Sequence, residues 1–273
     1  MPFSWTLNPY RGCTHGCHYC FARRYQPHLG LGVGDEFSSL ILVKVNFADV
    51  LRQELSRPTR QRELIGFGTA TDPYQPIEGH YRLTRRSLEA LIDHPSPVGL
   101  VTKGPMVVRD LDLLVELSRR TACTVHMSVP TVDDEAWRAL EPGTAHPLQR
   151  LRAVRTLADA GIEVGVLVAP VVPGLTSQPA KLEQTIAALR ALLSSEAKQL
   201  SVVLEELEEV CERFGDVRTG IGGIGCHENM DGNKPCGHGL GLLFGVIKRG
   251  ALIDVRAARF HASAAANLVL CRL

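Results

Sequence analysis

The sequence lacks both a long hydrophobic run and an excess of charge of one sign. No apolar stretch approaches the roughly 18 residues that cross a bilayer as a helix. The first residues, Met1-Pro2-Phe3-Ser4-Trp5, have neither the charged region nor the apolar region of a secretory signal. Lys and Arg total 30 against 29 Asp and Glu, so the net charge of +1 gives no global case for a nucleic acid or membrane partner. These absences predict a cytoplasmic, soluble protein with no membrane partner.

The sequence also contains no internal repeat and no low-complexity tract. Its 273 residues are 45% hydrophobic and 22% charged, which is enough apolar surface for a full core and excludes a disordered chain. The length fits one large α/β domain, or one medium domain with a small appendage.

Between about residues 60 and 193, short apolar runs alternate with amphipathic stretches. The predicted strands are Leu64–Gly68, Val98–Thr102, Cys123–Val129 and Ile162–Ala169. The predicted helices are Thr84–Asp93, Arg109–Arg120, Asp133–Ala160 with a break near Pro142-Gly143, and Pro179–Leu193. This alternation predicts parallel strands joined by right-handed helical crossovers. Functional residues in such sheets follow the carboxyl ends of the strands, where the sequence places Thr69, Thr71, Asp72, Lys103 and Ser128.

The last 80 residues have a weaker pattern. An acidic stretch favours a helix over Ala197–Phe214, a glycine-rich run covers Gly215–Gly245, and Ala257–Ala266 is rich in alanine. We therefore predict a core over residues 1–193 and a C-terminal segment, incomplete or divergent, over 194–273. Within that segment Cys226, His227, Cys236 and His238 match no common zinc or cluster spacing, which favours scattered loop residues over a second metal site.

Three of the eight cysteines lie within eight residues, as Cys13, Cys17 and Cys20. Disulfide frameworks rarely bunch in this way, whereas metal sites do. The spacing C-x3-C-x2-C lets three thiolates reach three corners of one [4Fe–4S] cluster, and glycines at 12 and 16 permit the required curl. Three protein ligands leave one iron open to an exogenous ligand.

Two other interpretations of this cluster remain open. Buried free cysteines are improbable at this density. A zinc site would need His15 or His18 as its fourth ligand, folded back within a very short loop.

The cysteine spacing, with Tyr19 directly before the third cysteine, resembles the radical S-adenosylmethionine (SAM) superfamily. Further motifs resemble its spore photoproduct lyase-like branch, also called DNA repair photolyase-like. These motifs are Asn8-Pro9-Tyr10-Arg11-Gly12-Cys13, Tyr19-Cys20-Phe21-Ala22-Arg23 and Thr71-Asp72-Pro73-Tyr74-Gln75-Pro76-Ile77-Glu78, followed by Thr102-Lys103, Arg109-Asp110, Ser128, Glu141-Pro142 and Pro170–Gly174. The resemblance covers about residues 3–193 and implies an α/β fold, a partial (β/α)6 TIM-like barrel open on one side.

The resemblance also implies roles for individual residues. Cys13, Cys17 and Cys20 would bind the [4Fe–4S] cluster, whose open iron is chelated by SAM, and Tyr19 would lie near the adenine. Thr69, Thr71 and Asp72 would meet the methionine amino group, Lys103 the methionine carboxylate, and Ser128 the ribose or methionyl group. Glu141 and Arg150 either share in this site or tie a helix to the barrel. Tyr74 and Gln75 either contact substrate or, for Tyr74, pack under the cluster loop. Cys123 is expected to be a buried strand residue.

Two classes of function follow from these observations. The first is a radical SAM enzyme, lyase-like, that abstracts hydrogen through a 5′-deoxyadenosyl radical, takes electrons from a flavodoxin- or ferredoxin-type donor and acts on DNA, a peptide or a small molecule. The second is a non-catalytic zinc- or cluster-binding module that senses redox state or docks a partner. A DNA substrate would use basic residues of the mouth-side loops, and a solvated face is the slightly favoured alternative for them: Arg11, Arg23, Arg24, Arg82, Arg85 and Arg86.

Overall fold

A computed structural model describes residues 3–193 together with 247–248, 251–252 and 270–272. Five parallel strands lie side by side, in chain order, in one sheet: β1 (Trp5–Leu7), β4 (Ile65–Phe67), β5 (Val98–Thr102), β6 (Cys123–Ser128) and β7 (Glu163–Leu167). Strand β7 forms one edge of this sheet. At the other edge a sixth strand, β10 (Leu270–Arg272), pairs antiparallel with β1. Among the described strands β7 and β10 do not pair, so the sheet does not close into a barrel.

Smaller elements surround this sheet. Strands β2 (Tyr10–Arg11) and β3 (Leu42–Val43) form one antiparallel pair, and β8 (Ile247–Lys248) and β9 (Ala251–Leu252) form another. The α-helices are α1 (Glu36–Ser39), α2 (Phe47–Leu55), α3 (Glu78–Tyr81), α4 (Leu83–Asp93), α5 (Leu111–Arg120), α6 (Asp134–Leu140), α7 (Pro147–Asp159) and α8 (Pro179–Leu193). Two 3-10 segments cover Phe21–Leu29 and Pro105–Asp110.

The helices cover one face of the sheet. Alternate strand residues point to this face, and Phe67, Leu100, Val125 and Met127 on it are fully buried. These side chains belong to the main hydrophobic core. Residues of the opposite face, such as Val101 and His126, are half-buried. The fold therefore anchors one face of each strand and leaves the carboxyl ends of the strands at a common edge.

The α/β fold class with a parallel sheet is confirmed, and most predicted boundaries agree within two residues. The helix predicted over 109–120 begins later in the structure, at Leu111, because a 3-10 segment precedes α5. The predicted helix 133–160 is two helices, α6 and α7, which end and begin on either side of Pro142-Gly143 as the break predicts.

The sequence pattern missed β1 and β10, which are three residues long. The predictions for 197–214 and 215–245 and the four residues Cys226, His227, Cys236 and His238 fall outside the described residues. All of the 257–266 stretch and most of the 194–273 segment do so too.

Within the part of the chain that the structure describes, no helix is long and apolar enough to cross a membrane.

Candidate functional site

The three clustered cysteines lie on a loop that follows β2 and covers the carboxyl edge of the sheet. Cys13 and Cys17 are buried and Cys20 is half-buried. The backbone turns sharply at Gly12, whose φ is +77°, and a Cβ there would lie 2.5 Å from the carbonyl oxygen of Leu40. Only glycine fits this position, since any side chain would meet backbone.

Arg23 fixes the shape of the cysteine loop. Its guanidinium donates to the carbonyl oxygens of Gly16 at 2.8 Å and Cys17 at 3.2 Å, and also to Val33 and Gly34 at 3.1 and 2.9 Å. The same group lies 4.8 Å from the ring centroid of Phe37. Arg23 is therefore engaged by the protein itself, which disfavours the predicted contact of this residue with a phosphate.

The donor set of this loop fits an iron–sulfur cluster. Burial raises the pKa of the Cys17 thiol well above its usual value and that of Cys20 to about 11. Thiolates at these positions therefore need a compensating positive charge, which iron supplies. Each cysteine of such a cluster ligates a different iron, so the three need not converge on one ion.

The same geometry does not favour a zinc site. In the described residues no three Cys, His, Asp or Glu side chains converge as ligands of a single ion. His18 is exposed. The Nδ1 atom of His15 lies 3.3 Å from Oδ2 of Asp72, and although burial opposes it, this carboxylate raises the pKa of His15 to about 10. One imidazole nitrogen of His15 therefore faces a carboxylate of the protein.

The loop that follows β4 holds the cysteine loop in place through side-chain hydrogen bonds to its backbone. The Thr71 hydroxyl donates to the carbonyl oxygen of Gly12 at 2.7 Å. The buried Gln75 donates to the same carbonyl at 3.2 Å and accepts from the amide of Thr14 at 3.1 Å. Thr69 instead accepts a bond from the Asn8 side chain at 3.3 Å. Contact of Thr69 or Thr71 with SAM stays a prediction, while the present contacts of both residues are structural.

Asp72 is enclosed by protein donors. Its Oδ1 accepts from the Tyr74 amide at 2.8 Å and the Thr102 hydroxyl at 2.7 Å, and its Oδ2 accepts from the Lys103 amide at 2.6 Å. Burial raises the pKa of this carboxyl, but His15 and these hydrogen bonds outweigh it and hold the pKa at about 2. The contacts favour a positioning role for Asp72 over the predicted direct contact with an amino group.

Glu141 joins the cysteine loop to the ends of two strands. It lies between α6 and α7, and its Oε1 accepts from the Tyr19 hydroxyl and lies 3.1 Å from Nζ of Lys103. Lys103 follows β5 and also donates to the Ser128 hydroxyl, at the end of β6, at 2.5 Å. Two predicted site residues, Tyr19 and Lys103, thus meet through one carboxylate that the sequence left uncertain, and Ser128 joins them through Lys103.

Arg150 is the second cation on Glu141. It is fully buried, and its Nη2 lies 2.6 Å from Oε2 of Glu141. It also donates to the carbonyl oxygens of Ser128 at 2.9 Å and Ala145 at 2.8 Å. Burial raises the pKa of Glu141, but Lys103 and Arg150 outweigh it and hold that pKa at about 2. This group of residues is a charged, buried network at the strand ends.

A second buried network was not expected as such from the sequence. Glu78 accepts from the Tyr10 hydroxyl and lies 2.8 Å from Nη2 of Arg109, which also lies 2.7 Å from Asp110. Tyr74 donates to Asp110 at 3.1 Å. Tyr74 and Gln75 are buried, which favours the expected packing role for Tyr74, while contact of Gln75 with substrate stays a prediction. The sequence motifs include the residues of this network, but they do not indicate that these side chains bind one another.

The remaining candidates are mostly engaged by the protein. Arg85 pairs with Asp110 and Asp112, and Arg86 pairs with Asp49. Cys123 is buried at the start of β6, as expected.

Comparison with known proteins decides the family. A sequence model of the Radical SAM superfamily matches residues 7–186. The chain belongs to the radical SAM superfamily. Membership implies a [4Fe–4S] cluster and SAM as cofactors, and the match spans the cysteine loop and the four parallel strands β4 to β7.

Several curated proteins are similar in sequence to this radical SAM chain. An uncharacterized protein of Mycobacterium tuberculosis is 40% identical over 191 residues, which are 70% of this chain and 56% of that protein. An uncharacterized protein of Methanocaldococcus jannaschii is 28% identical over 171 residues, 63% of this chain and 61% of that one. A radical SAM Nα-GlyT isomerase of Pseudomonas phage M6 is 30% identical over 171 residues, 62% of this chain and 33% of the isomerase. The chain thus spans little more than half the length of the mycobacterial relative.

Among solved structures, spore photoproduct lyase has a similar fold. The lyase complexed with dinucleoside spore photoproduct gives a TM-score of 0.54 at 20% identity, covering 78% of this chain and 61% of the lyase. A variant with bound AdoMet and the same dinucleoside also gives 0.54 at 20% identity, covering 76% and 60%. At this identity the likeness concerns the fold.

Proposed function

We propose that this chain is a radical SAM enzyme that abstracts hydrogen from its substrate, with a [4Fe–4S] cluster on Cys13, Cys17 and Cys20. The observation that carries the proposal is the position of the cysteine loop. It brings three largely buried thiols to the carboxyl edge of a parallel sheet, beside a lysine that three other side chains hold in place. When bound, the cluster supplies one electron to SAM, which splits into methionine and the 5′-deoxyadenosyl radical.

Lys103 is suited to bind the carboxylate of the cofactor. An ammonium has three N–H donors, and Ser128 and Glu141 occupy two of them. Its side chain is 15% exposed and no further acceptor for Nζ lies among the described residues, so we assign the third donor to the ligand. Two cations, Lys103 and Arg150, share the single anion Glu141, so the formal charge of the trio is +1 and it attracts a carboxylate.

Tyr19 and Ser128 limit where the cofactor can lie. Lys103 Nζ lies 5.5 Å from the centroid of the Tyr19 ring, and the phenol oxygen is fixed by Glu141. We assign the half-buried ring of Tyr19 to stacking by a planar base. Thr71, Gln75 and Arg23 keep the cysteine loop over the same edge.

We propose a pyrimidine lesion of DNA as the substrate and a flavodoxin- or ferredoxin-type protein as the electron donor. Support for the substrate comes from the names of the similar proteins, a lyase solved with dinucleoside spore photoproduct and a phage isomerase. A peptide or a small molecule is the alternative. Any binding of DNA should weaken steeply with added salt, because it depends on neutralised phosphates.

The test is to reconstitute the protein without oxygen, reduce it with dithionite, add SAM and measure 5′-deoxyadenosine by chromatography. Cys17→Ala should lose iron and product. Cys123→Ala is the matched control, since it removes a buried cysteine outside the loop and should retain both. Lys103→Met should retain iron but bind SAM at least about tenfold more weakly, which is the loss of one charge-assisted contact.

Three results would contradict the proposal. These are a colourless protein that carries zinc, an iron-loaded protein that makes no 5′-deoxyadenosine, and equal activity of Cys17→Ala and wild type. If 5′-deoxyadenosine forms but dinucleoside spore photoproduct stays unchanged, the radical chemistry stands and the DNA lesion is the wrong substrate.

A further inference from the structure

A basic pocket lies at the amino edge of the sheet. The cysteine loop covers the opposite, carboxyl edge. It has a volume of about 340 Å³, and its polar lining consists of Ser56, Arg57, Arg60, Arg62, His94 and Ser96. We call it the Arg60 pocket. The segment after α2 contributes the first four of these residues, and the segment between α4 and β5 contributes the last two.

The Arg60 pocket is separate from the candidate active site. Its two segments lead into the amino ends of β4 and β5, and the amide of Ile65 bonds to the carbonyl oxygen of Pro97 at 2.8 Å between them. Lys103 follows the carboxyl end of β5, which is five residues long. Because a strand rises about 3.3 Å per residue, the two sites are roughly 15 Å apart along the strand direction.

The guanidinium of Arg60 is incompletely bonded. Its Nη1 donates to the Ser96 hydroxyl at 2.9 Å. Its Nε and Nη2 are buried and have no hydrogen-bond partner among the residues that the structure describes. A buried donor without a partner is costly, and most such groups in folded proteins bind a protein atom, water or a ligand. These two adjacent donors are the pair with which arginine binds oxyanions in a bidentate manner.

The charges around the pocket favour an anion. The nearby carboxylates have partners of their own: Glu54 lies 2.6 Å from Arg57, and Glu63 accepts from the Trp5 ring at 2.5 Å. Arg57 is therefore neutralised, while no carboxylate of the described residues lies within ion-pair distance of Arg60 or Arg62. Ser96 is buried and still has its own O–H to donate.

We propose that the Arg60 pocket binds a phosphate group, held by Arg60 and Ser96 at its base and by Arg62 and His94 at its rim. Two positive side chains, paired N–H donors and a hydroxyl match the charge and the oxygens of a phosphate. The source is either a free phosphate or phosphomonoester, or the phosphodiester backbone of a nucleic acid. The pocket involves none of the residues of the proposed radical site, so its role is independent of that function.

The test uses the full chain without a cluster and measures binding by calorimetry and by thermal unfolding. The probes are inorganic phosphate, uridine 5′-monophosphate and a short oligothymidylate without terminal phosphate, with chloride as a monovalent control. Saturable binding of at least one phosphate probe is expected, and at 100-fold excess over Kd the midpoint of unfolding should rise by roughly 5 °C or more. The tightest probe identifies the source of the phosphate.

Two variants make the assignment specific. Arg60→Met should weaken binding at least about tenfold, because it removes both unpartnered donors. Arg62→Gln, on an exposed side chain, should weaken binding severalfold without a change in folding. Arg138→Gln is the matched control, since that side chain is exposed on α6, which ends beside the cysteine loop at the opposite edge of the sheet. No saturable binding of any probe, or equal binding by wild type, Arg60→Met and Arg62→Gln, would refute the proposal.

Discussion

Glu141 is the residue whose replacement tests the candidate site most directly. Its carboxylate is 2% exposed and is the common partner of Tyr19, Lys103 and Arg150. Glu141→Gln keeps the shape of the side chain and an oxygen that can accept from Tyr19, but it removes the negative charge. The variant therefore leaves the fully buried Arg150 without a counter-ion.

The loss of stability expected for Glu141→Gln can be derived in two ways, and the two values agree. The pKa of Glu141 falls from an ordinary 4.5 to about 2 in the folded protein, which corresponds to roughly 3 kcal/mol of interaction with the charged form. Removal of one partner from a buried ion pair costs about 3–5 kcal/mol. We therefore expect Glu141→Gln to lower the free energy of unfolding at pH 7 by about 3 kcal/mol, measured by urea titration followed by circular dichroism.

The pH dependence of this loss has a definite sign. Because the folded pKa of Glu141 is lowered, its contribution is present above pH 4.5 and disappears as the pH falls toward about 2. The stability difference between wild type and Glu141→Gln should therefore shrink over this range.

Two comparisons make the result interpretable. Glu116→Gln removes a carboxylate of a surface pair with Arg120 and should cost less than about 1 kcal/mol. Arg150→Met combined with Glu141→Gln should cost less than the sum of the two single variants, since the double variant no longer contains a fully buried guanidinium without a counter-ion. Additive losses, or a loss for Glu141→Gln no larger than that for Glu116→Gln, would refute the interpretation of Glu141 as the centre of a buried ion network.

Two further predictions concern the cysteine loop. A Cβ at Gly143 would lie 2.2 Å from the carbonyl oxygen of Thr14. Gly143→Ala should therefore displace the cysteine loop and lower the iron content after reconstitution. Gly34→Ala is the control, because a Cβ at Gly34 has open space and the iron content should not change. Equal iron content in the two variants would contradict this. Arg23→Met should leave helix content unchanged but speed the loss of iron to a chelator severalfold, because four backbone contacts that hold the loop disappear. A rate equal to that of wild type would show that the loop holds its shape without Arg23.

Much of the fold was predictable from local pattern. Strands β5 and β6 and helices α4 and α8 agree with their predicted ranges within a residue, because apolar periodicity and Pro or Gly boundaries are local properties. β1 was missed because three residues carry no period; its pairing with β4 is a long-range contact. The edge strand β10 joins β1 from the far end of the chain, which no local pattern could indicate.

The sequence by itself determined the chemical inventory of this protein and its order along the chain. The cysteine spacing is local, and so is the placement of Lys103 after one strand and of Ser128 at the end of another, so both can be read without coordinates. Tertiary structure alone decided which of these groups meet. Glu141 lies 122 residues from Tyr19 in the chain, yet its carboxylate accepts from that phenol and pairs with Lys103 and Arg150. Asp72 is likewise enclosed by residues of other loops. The reason is physical: a charge inside a protein must find its partners across the fold, and sequence spacing does not specify them.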